Sequence, residues 1–207
     1  MKPIFLFDFD GVIADTQTLF HESFRKACAA HGFCQFDSTE AFLTLFDMNM
    51  YEGMAMAGIP VSVIPAILKT LAEELGLSLQ KASPFNSIPA VLADLVARAP
   101  VYIITSNISP VVEAFLKRHN IRSIADVLGS DKGLSKVEKI KATIALYPAK
   151  KQKFYYIGDT AGDMLEGRKG GAIPVAAAWG WHSEERLRSV NPSHVLFAPK
   201  GLLSLNV

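Results

Sequence analysis

The chain has 207 residues, 50% of them hydrophobic and 20% charged, with a formal net charge of +1 at neutral pH. That length suffices for one well-packed domain with a smaller insertion. The near-neutral balance, without a long Lys/Arg run, gives no general pull toward nucleic acid or an anionic membrane surface. Met1-Lys2-Pro3 leads straight into an apolar run with no signal-peptide pattern, and no apolar stretch is long enough to span a bilayer. Cys28 and Cys34 form no CxxC pair, so reduced thiols, a cytoplasmic location and a small-molecule partner are expected.

The first predicted strand covers residues 4–10 and runs into FLFDFDGVIADT, residues 5–16. Its end carries Asp8 and Asp10. Burying one unpaired carboxylate costs several kcal/mol and two close together repel, so the pair calls for a compensating cation. A helix follows over Thr18 to Ala30, with Gly32 as its stop. From there to about Ser83 only helical patterns occur, chiefly 38–47 and 61–75, punctuated by Gly58-Ile59-Pro60 and Gly76. Residues 17–84 therefore read as an all-helical insertion.

After Pro84 the pattern changes to a helix near 87–98, the strand VYIIT at 101–105, a helix from Pro110 to about His119 and another beginning near Ser135. The strand FYYIG at 154–158, a helix to about Gly170, the strand IPVAAA, a short helix after His182 and a strand near HVLF complete the chain. Strands alternating with helices predict a parallel sheet covered on both faces: a Rossmann-like three-layer α/β/α core built from residues 1–16 and 85–207. In such sheets ligands bind beyond the carboxyl ends of the strands.

The polar residues fall at that edge. Asp8 and Asp10 end the first strand, Thr105 with Ser106 and Asn107 ends VYIIT, and Asp159 and Asp163 follow FYYIG in GDTAGD. Ser135 and Glu138 make an S-x-x-E capping box, which puts Lys136 in the first turn of a helix at the same rim. Lys132 and Lys139 lie close enough in sequence to compete for that place. The five histidines show no metal-ligand spacing.

Phosphoryl transfer through a covalent aspartyl-phosphate uses these parts. Asp8, ionised at neutral pH, attacks phosphorus. Asp10, its pKa raised by an anionic neighbour, protonates the leaving oxygen and then activates water. Mg²⁺ suits an all-oxygen site formed by Asp8, Asp159 and Asp10 through its carbonyl, with Asp163 acting from behind these ligands or through a metal-bound water. Thr105 and the Ser106 N–H hold a phosphoryl oxygen, and Lys136 balances charge.

With FDFDG, IITSN, Ser135-Lys136 and GDTAGD in this order, the chain resembles the haloacid dehalogenase superfamily of phosphohydrolases. The Lys-Pro common at the third motif is absent. The 17–84 insertion looks like the helical cap of the phosphoglycolate phosphatase-like and phosphoglucomutase-like subgroup, and the resemblance spans essentially the whole chain. It implies a Mg²⁺-dependent phosphatase acting on a small-metabolite phosphomonoester, monomeric or homodimeric. A phosphosugar mutase of the β-phosphoglucomutase type is the alternative, and a catalytically silent binding module with the same fold is a third reading. Dehalogenases of the family generally lack the second aspartate, so Asp10 argues for phosphate esters, and the complete set of acids argues against silence. A receiver-type signalling domain needs no helical insertion.

The stretch from Gln35 to Leu68 contains no Lys, Arg or His but carries Asp37, Glu40, Asp47 and Glu52, which predicts a neutral or weakly polar leaving group. Arg25 is the residue best placed to escape that argument. Phe42, Phe46, Met48, Met50, Met54 and Met56 form either an adaptable lid surface or the insertion's own core. WGWHS, residues 179–183, is read as a segment lining the interface with the insertion.

Overall fold

A computed structural model describes residues 3–147 and 152–205; Met1 and Lys2, read above as leading into the first strand, lie outside them. The chain divides into two compact units, Met1–Asp15 with Ser83–Val207, and Thr16–Ala82. In chain order the elements are β1 (Ile4–Phe7), β2 (Ala14–Asp15), α1 (Gln17–Ala30), α2 (Thr39–Leu43), α3 (Met50–Met56), α4 (Ile64–Ser78), β3 (Ser83–Pro84) and α5 (Ile88–Val96). They continue with β4 (Val101–Ile104), α6 (Ser109–Arg118), β5 (Asp126–Leu128), α7 (Lys136–Ala145), β6 (Phe154–Gly158), α8 (Ala161–Gly170), β7 (Ile173–Ala177), α9 (Glu184–Ser189) and β8 (His194–Leu196).

In the first unit six parallel strands pair in the order β5-β4-β1-β6-β7-β8. Parallel strands buried on both faces read as continuous apolar runs, and β1, β4 and β6 are buried throughout. Side chains alternate across the sheet. Ile4, Leu6, Tyr102, Ile104, Phe154 and Tyr156 pack with Ile140 of α7. On alternate positions Phe5 stacks on Tyr155 at 5.7 Å. The chain starts at the sheet centre, builds outward through β4 and β5, then returns to the other side of β1 with β6, which makes the carboxyl end of β1 a topological switch point. Phe7 is level with Ile103 and with Ile157, so β1, β4 and β6 end together there.

β1 stops at Phe7, short of the expected residue 10, because the backbone turns. Gly11 has φ +71°, and the N–H groups of Ile13 and Ala14 both donate back to the Phe9 carbonyl. Asp8 still donates its N–H to Ile157 as a last rung, at 2.8 Å, so its side chain is set by the sheet while Asp10 belongs to the turn. Two features carry no readable pattern in the sequence: the three-residue edge strand β5, and the antiparallel pairing of β2 with β3, which are two residues each.

The second unit is all-helical. α1 ends in a Schellman motif, with Gly32 at φ +86°, its N–H on Ala29 and the Phe33 N–H on Cys28, both at 3.0 Å. Ser23 and Ser78 hydroxyls join α1 to α4 at 3.0 Å. Phe42 and Met54 are fully buried, and Phe24, Phe36, Phe42 and Phe46 form one aromatic cluster, so these residues are the unit's own filling, whereas Met56 is 77% exposed. Arg25 is ion-paired with Asp37 at 2.8 Å. Among the described residues no helix is long and apolar enough to cross a membrane.

Candidate active site

Three strand ends and two helix starts of the first unit meet around Asp8. Lys136 is the first residue of α7 because Ser135 caps that helix: its hydroxyl accepts the Glu138 N–H, and Glu138 accepts the Ser135 N–H at 2.8 Å. From there the Lys136 ammonium donates to Asp8 Oδ2 at 2.7 Å and to Asp163 Oδ1 at 2.8 Å. Of the three lysines that the sequence leaves in competition, Lys136 makes this pair. Lys132 lies 3.8 Å from Asp131, and Lys139 donates to the Thr105 carbonyl at 2.8 Å.

Asp159 follows the last residue of β6, and Thr160 is the cap of α8, its hydroxyl accepting the Asp163 N–H while Asp163 accepts from Thr160 in return. Thr160 and Asp163 thus cap α8 together, and the cap leaves Asp159 out. Asp163 Oδ1 also accepts from the Tyr156 hydroxyl at 3.1 Å. Asp8, Asp159 and Asp163 are all buried, and one carboxylate oxygen from each lies within 4.8 Å of the others.

One ammonium does not balance three buried carboxylates. Asp163 is held below the usual carboxylate range: burial alone would raise it, but Lys136 and the hydroxyls of Thr160 and Tyr156 outweigh that. Burial pushes Asp8 well up against the pull of Lys136, with the Asp163 charge adding to the rise. Burial and the charges of Asp163 and Asp8 push Asp159 up as well. Lys136 is raised, since its two carboxylate partners overcome the burial that would lower it. Asp159 Oδ1 is buried with no hydrogen-bond partner among the described residues. A buried orphaned oxygen inside an all-carboxylate group fits a small hard divalent cation such as Mg²⁺, which takes oxygen ligands and offsets the excess charge.

Asp10 is not part of that group; its carboxylate accepts from the side-chain amide of Asn107. Thr105 is fully buried, with its N–H on the Leu128 carbonyl and its hydroxyl accepting the Asn107 N–H at 3.0 Å. Ser106 is exposed. Asn107, named in the sequence only as a neighbour of Thr105, thus links two strand ends 97 residues apart.

WGWHS performs a task that its sequence does not announce. The Trp181 N–H donates to Asp159 Oδ2 at 2.8 Å, the His182 N–H to the Asp159 carbonyl at 3.2 Å, and His182 Nδ1 accepts the Ala161 N–H at the start of α8. The Trp179 indole donates to the Val12 carbonyl at 3.1 Å, in the turn after Asp10. This segment straps the Asp159 carboxylate to the turn beside Asp8, and all of these residues belong to the first unit. Two glycines make the close approach possible: a Cβ on Gly11 would overlap the Asp159 carboxylate, and one on Gly180 would overlap Asp159 and the Gly11 carbonyl. Gly180→Ala is therefore expected to cost about 1–3 kcal/mol of stability, read as a lower denaturant midpoint. An unmoved midpoint would mean that the strap shifts aside freely.

The family model for haloacid dehalogenase-like hydrolase matches residues 5–178 of the chain. A phosphoglycolate phosphatase of Synechococcus elongatus is 26% identical over 200 residues, covering 96% of this chain and 94% of that protein. A haloacid dehalogenase-like hydrolase of Streptococcus pneumoniae superposes with a TM-score of 0.82 at 20% identity, over 98% of this chain and 97% of that one. A hydrolase from Pseudomonas syringae does so with a TM-score of 0.81 at 18% identity, over 99% and 97%.

Proposed function

The chain belongs to the haloacid dehalogenase-like hydrolases, and from that premise we propose that it is a Mg²⁺-dependent phosphomonoesterase that cleaves a small-metabolite ester through an aspartyl-phosphate. The observation that carries the reading is the unbalanced group of Asp8, Asp159 and Asp163 around one lysine, with the orphaned Asp159 Oδ1 beside it. Asp8 and Asp159 would hold the ion together with the Asp10 backbone carbonyl, and Asp163, whose oxygens are taken by Lys136, Tyr156 and Thr160, would act from behind them or through a bound water. When bound, the ion neutralises these carboxylates and the charge on the phosphoryl oxygens.

Asp8 Oδ attacks phosphorus, forming the O–P bond of the acyl phosphate as the ester P–O bond breaks. The leaving alkoxide takes a proton from Asp10, which Asn107 orients. Asp10, now ionised, takes a proton from an incoming water whose oxygen attacks phosphorus, and the Asp8 O–P bond breaks to give free phosphate. Lys136 stays on Asp8 and limits the charge that builds there, while Thr105 and the Ser106 N–H hold phosphoryl oxygens. Asp163, held ionised by Lys136, is a fixed charge, whereas Asp8, which burial pushes up, depends on Lys136 at one oxygen, the Phe9 N–H at the other and the ion's charge to be ionised for attack.

The substrate carries a neutral or weakly polar leaving group. Support comes from the charges of the second unit, where no cation lies between Gln35 and Leu68 and Arg25 is taken by Asp37. A mutase would have to grip a bisphosphate intermediate at both ends, and the same scarcity of cations disfavours it. The enzyme acts in the cytoplasm, where such esters are made. A panel of phosphomonoesters, including phosphoglycolate, assayed for free phosphate with Mg²⁺ and with chelator tests the reading. Release that stops on chelation and favours uncharged alcohols over bisphosphates is expected. An isomerised sugar phosphate without free phosphate would hand the site to the mutase chemistry.

A further inference from the structure

Lys139 is a buried cation that the mechanism above does not use. It sits in α7, 2% exposed, flanked by buried Ile140 and Thr143, where a helix packed on a sheet ordinarily carries an apolar side chain. Its ammonium has three N–H donors and one acceptor among the described residues, the Thr105 carbonyl at 2.8 Å. A methionine would fill the position without desolvating a charge. Burial, with the Lys136 charge next, pushes the Lys139 ammonium down to about 8.

The Thr105 carbonyl is one end of a peptide unit whose other end is the Ser106 N–H. In a trans peptide the two point in opposite directions, so a cation fixed on the carbonyl fixes the direction of the N–H and polarises it as a donor. Among the described residues the Ser106 N–H makes no hydrogen bond of its own, while the neighbouring Asn107 N–H is taken by the Thr105 hydroxyl. We propose that Lys139 is a positioning residue for the anion-holding peptide: by gripping the Thr105 carbonyl it aims and strengthens the Ser106 N–H toward a phosphoryl oxygen.

The proposal rests on the phosphatase reading, and the probe is inorganic phosphate with Mg²⁺, its binding followed by calorimetry in the wild type, Lys139→Met and Lys139→Gln. Lys139→Met is expected to raise the phosphate Kd about tenfold, the loss of one charge-assisted hydrogen bond. Lys139→Gln, which keeps a donor but no charge, falls between. Lys139→Met is also expected to melt no lower than the wild type. Lys136, Asp8, Asp131 and Glu166 are the charged groups that act on Lys139. With its folded value depressed, the ammonium costs stability below about 8 and ceases to do so as the pH rises toward lysine's ordinary 10.5, so the gain from methionine is largest at neutral pH and fades above it. Unchanged phosphate affinity in Lys139→Met overturns the proposal, and so does a lost affinity that comes with a lower Tm, the mark of a merely structural lysine. A wild type that binds no phosphate overturns the site reading itself, and this proposal with it.

Discussion

Asp8→Asn is expected to lower phosphate release by about 10⁴-fold or more and, at the same time, to leave the protein at least as stable as the wild type. The two outcomes follow from one feature. Asparagine has the shape of aspartate but no nucleophilic oxygen, so the acyl phosphate cannot form and no other step can replace it. Burial already pushes Asp8 up, against the pull of Lys136, and the nearby Asp163 charge pushes the same way. An amide at that place removes one member of a crowded anionic group and keeps one oxygen, for Lys136; its NH2 cannot accept the Phe9 N–H that Asp8 Oδ1 accepts at 2.7 Å, a loss of about 1 kcal/mol that relief of the buried charge offsets. Phosphate release and the denaturant midpoint, measured on the same preparation, check both. Retained turnover in a folded Asp8→Asn protein would remove Asp8 from the role of nucleophile, and a clear loss of stability would mean that the ionised form is needed by the fold.

The residues that a reader of the sequence finds and those that escape differ in the range of the interaction that places them. Asp8, Asp159, Asp163 and Lys136 are legible because local rules set each one: a strand end, a strand-to-helix turn, and two capping boxes whose partners lie three residues apart. The alternation of strands and helices made the parallel sheet legible for the same reason. What escapes is pairing across the chain. Nothing near Asn107 says that its amide meets Asp10, nothing in WGWHS says that its backbone meets Asp159, and Tyr156 looks like any other aromatic in a strand although its hydroxyl reaches Asp163. The capping box puts Lys136 at the rim, but the partners of its competitors, Asp131 for Lys132 and the Thr105 carbonyl for Lys139, depend on which way each side chain faces and do not show in the spacing. Strands β2, β3 and β5 are too short for an alternating pattern to emerge. Nothing in the sequence shows that the glycines at 11 and 180 let two backbones close on one carboxylate.

Lys136→Met is expected to fail in both respects where Asp8→Asn fails in one. Lys136 is the cation that pairs with Asp8 and Asp163, and its side chain is only 14% exposed. Removing one partner of a buried pair leaves uncompensated charge and costs about 3–5 kcal/mol, far more than the pair itself contributes relative to apolar packing. Asp163, held low in the wild type first by Lys136, then loses that support and its carboxyl rises with those of Asp8 and Asp159. A carboxyl raised in the folded state costs stability above its unfolded pKa, so Lys136→Met should unfold at lower denaturant near pH 7 than near pH 5, a difference that the wild type should show less strongly. Added Mg²⁺ offers the missing positive charge, so it should raise the denaturant midpoint of Lys136→Met by mass action on the folded state, as it should for the wild type. Turnover does not return with it, because an ion held by the carboxylates cannot also stand where the ammonium meets Asp8; phosphate release should stay down by about 10²-fold or more at saturating Mg²⁺. Denaturant titrations at the two pH values, with chelator and with Mg²⁺, separate these effects. A variant as stable as the wild type in chelator at pH 7 would show that the three carboxyls share enough protons to need no cation, and the charge argument for a metal at this site would fall with it.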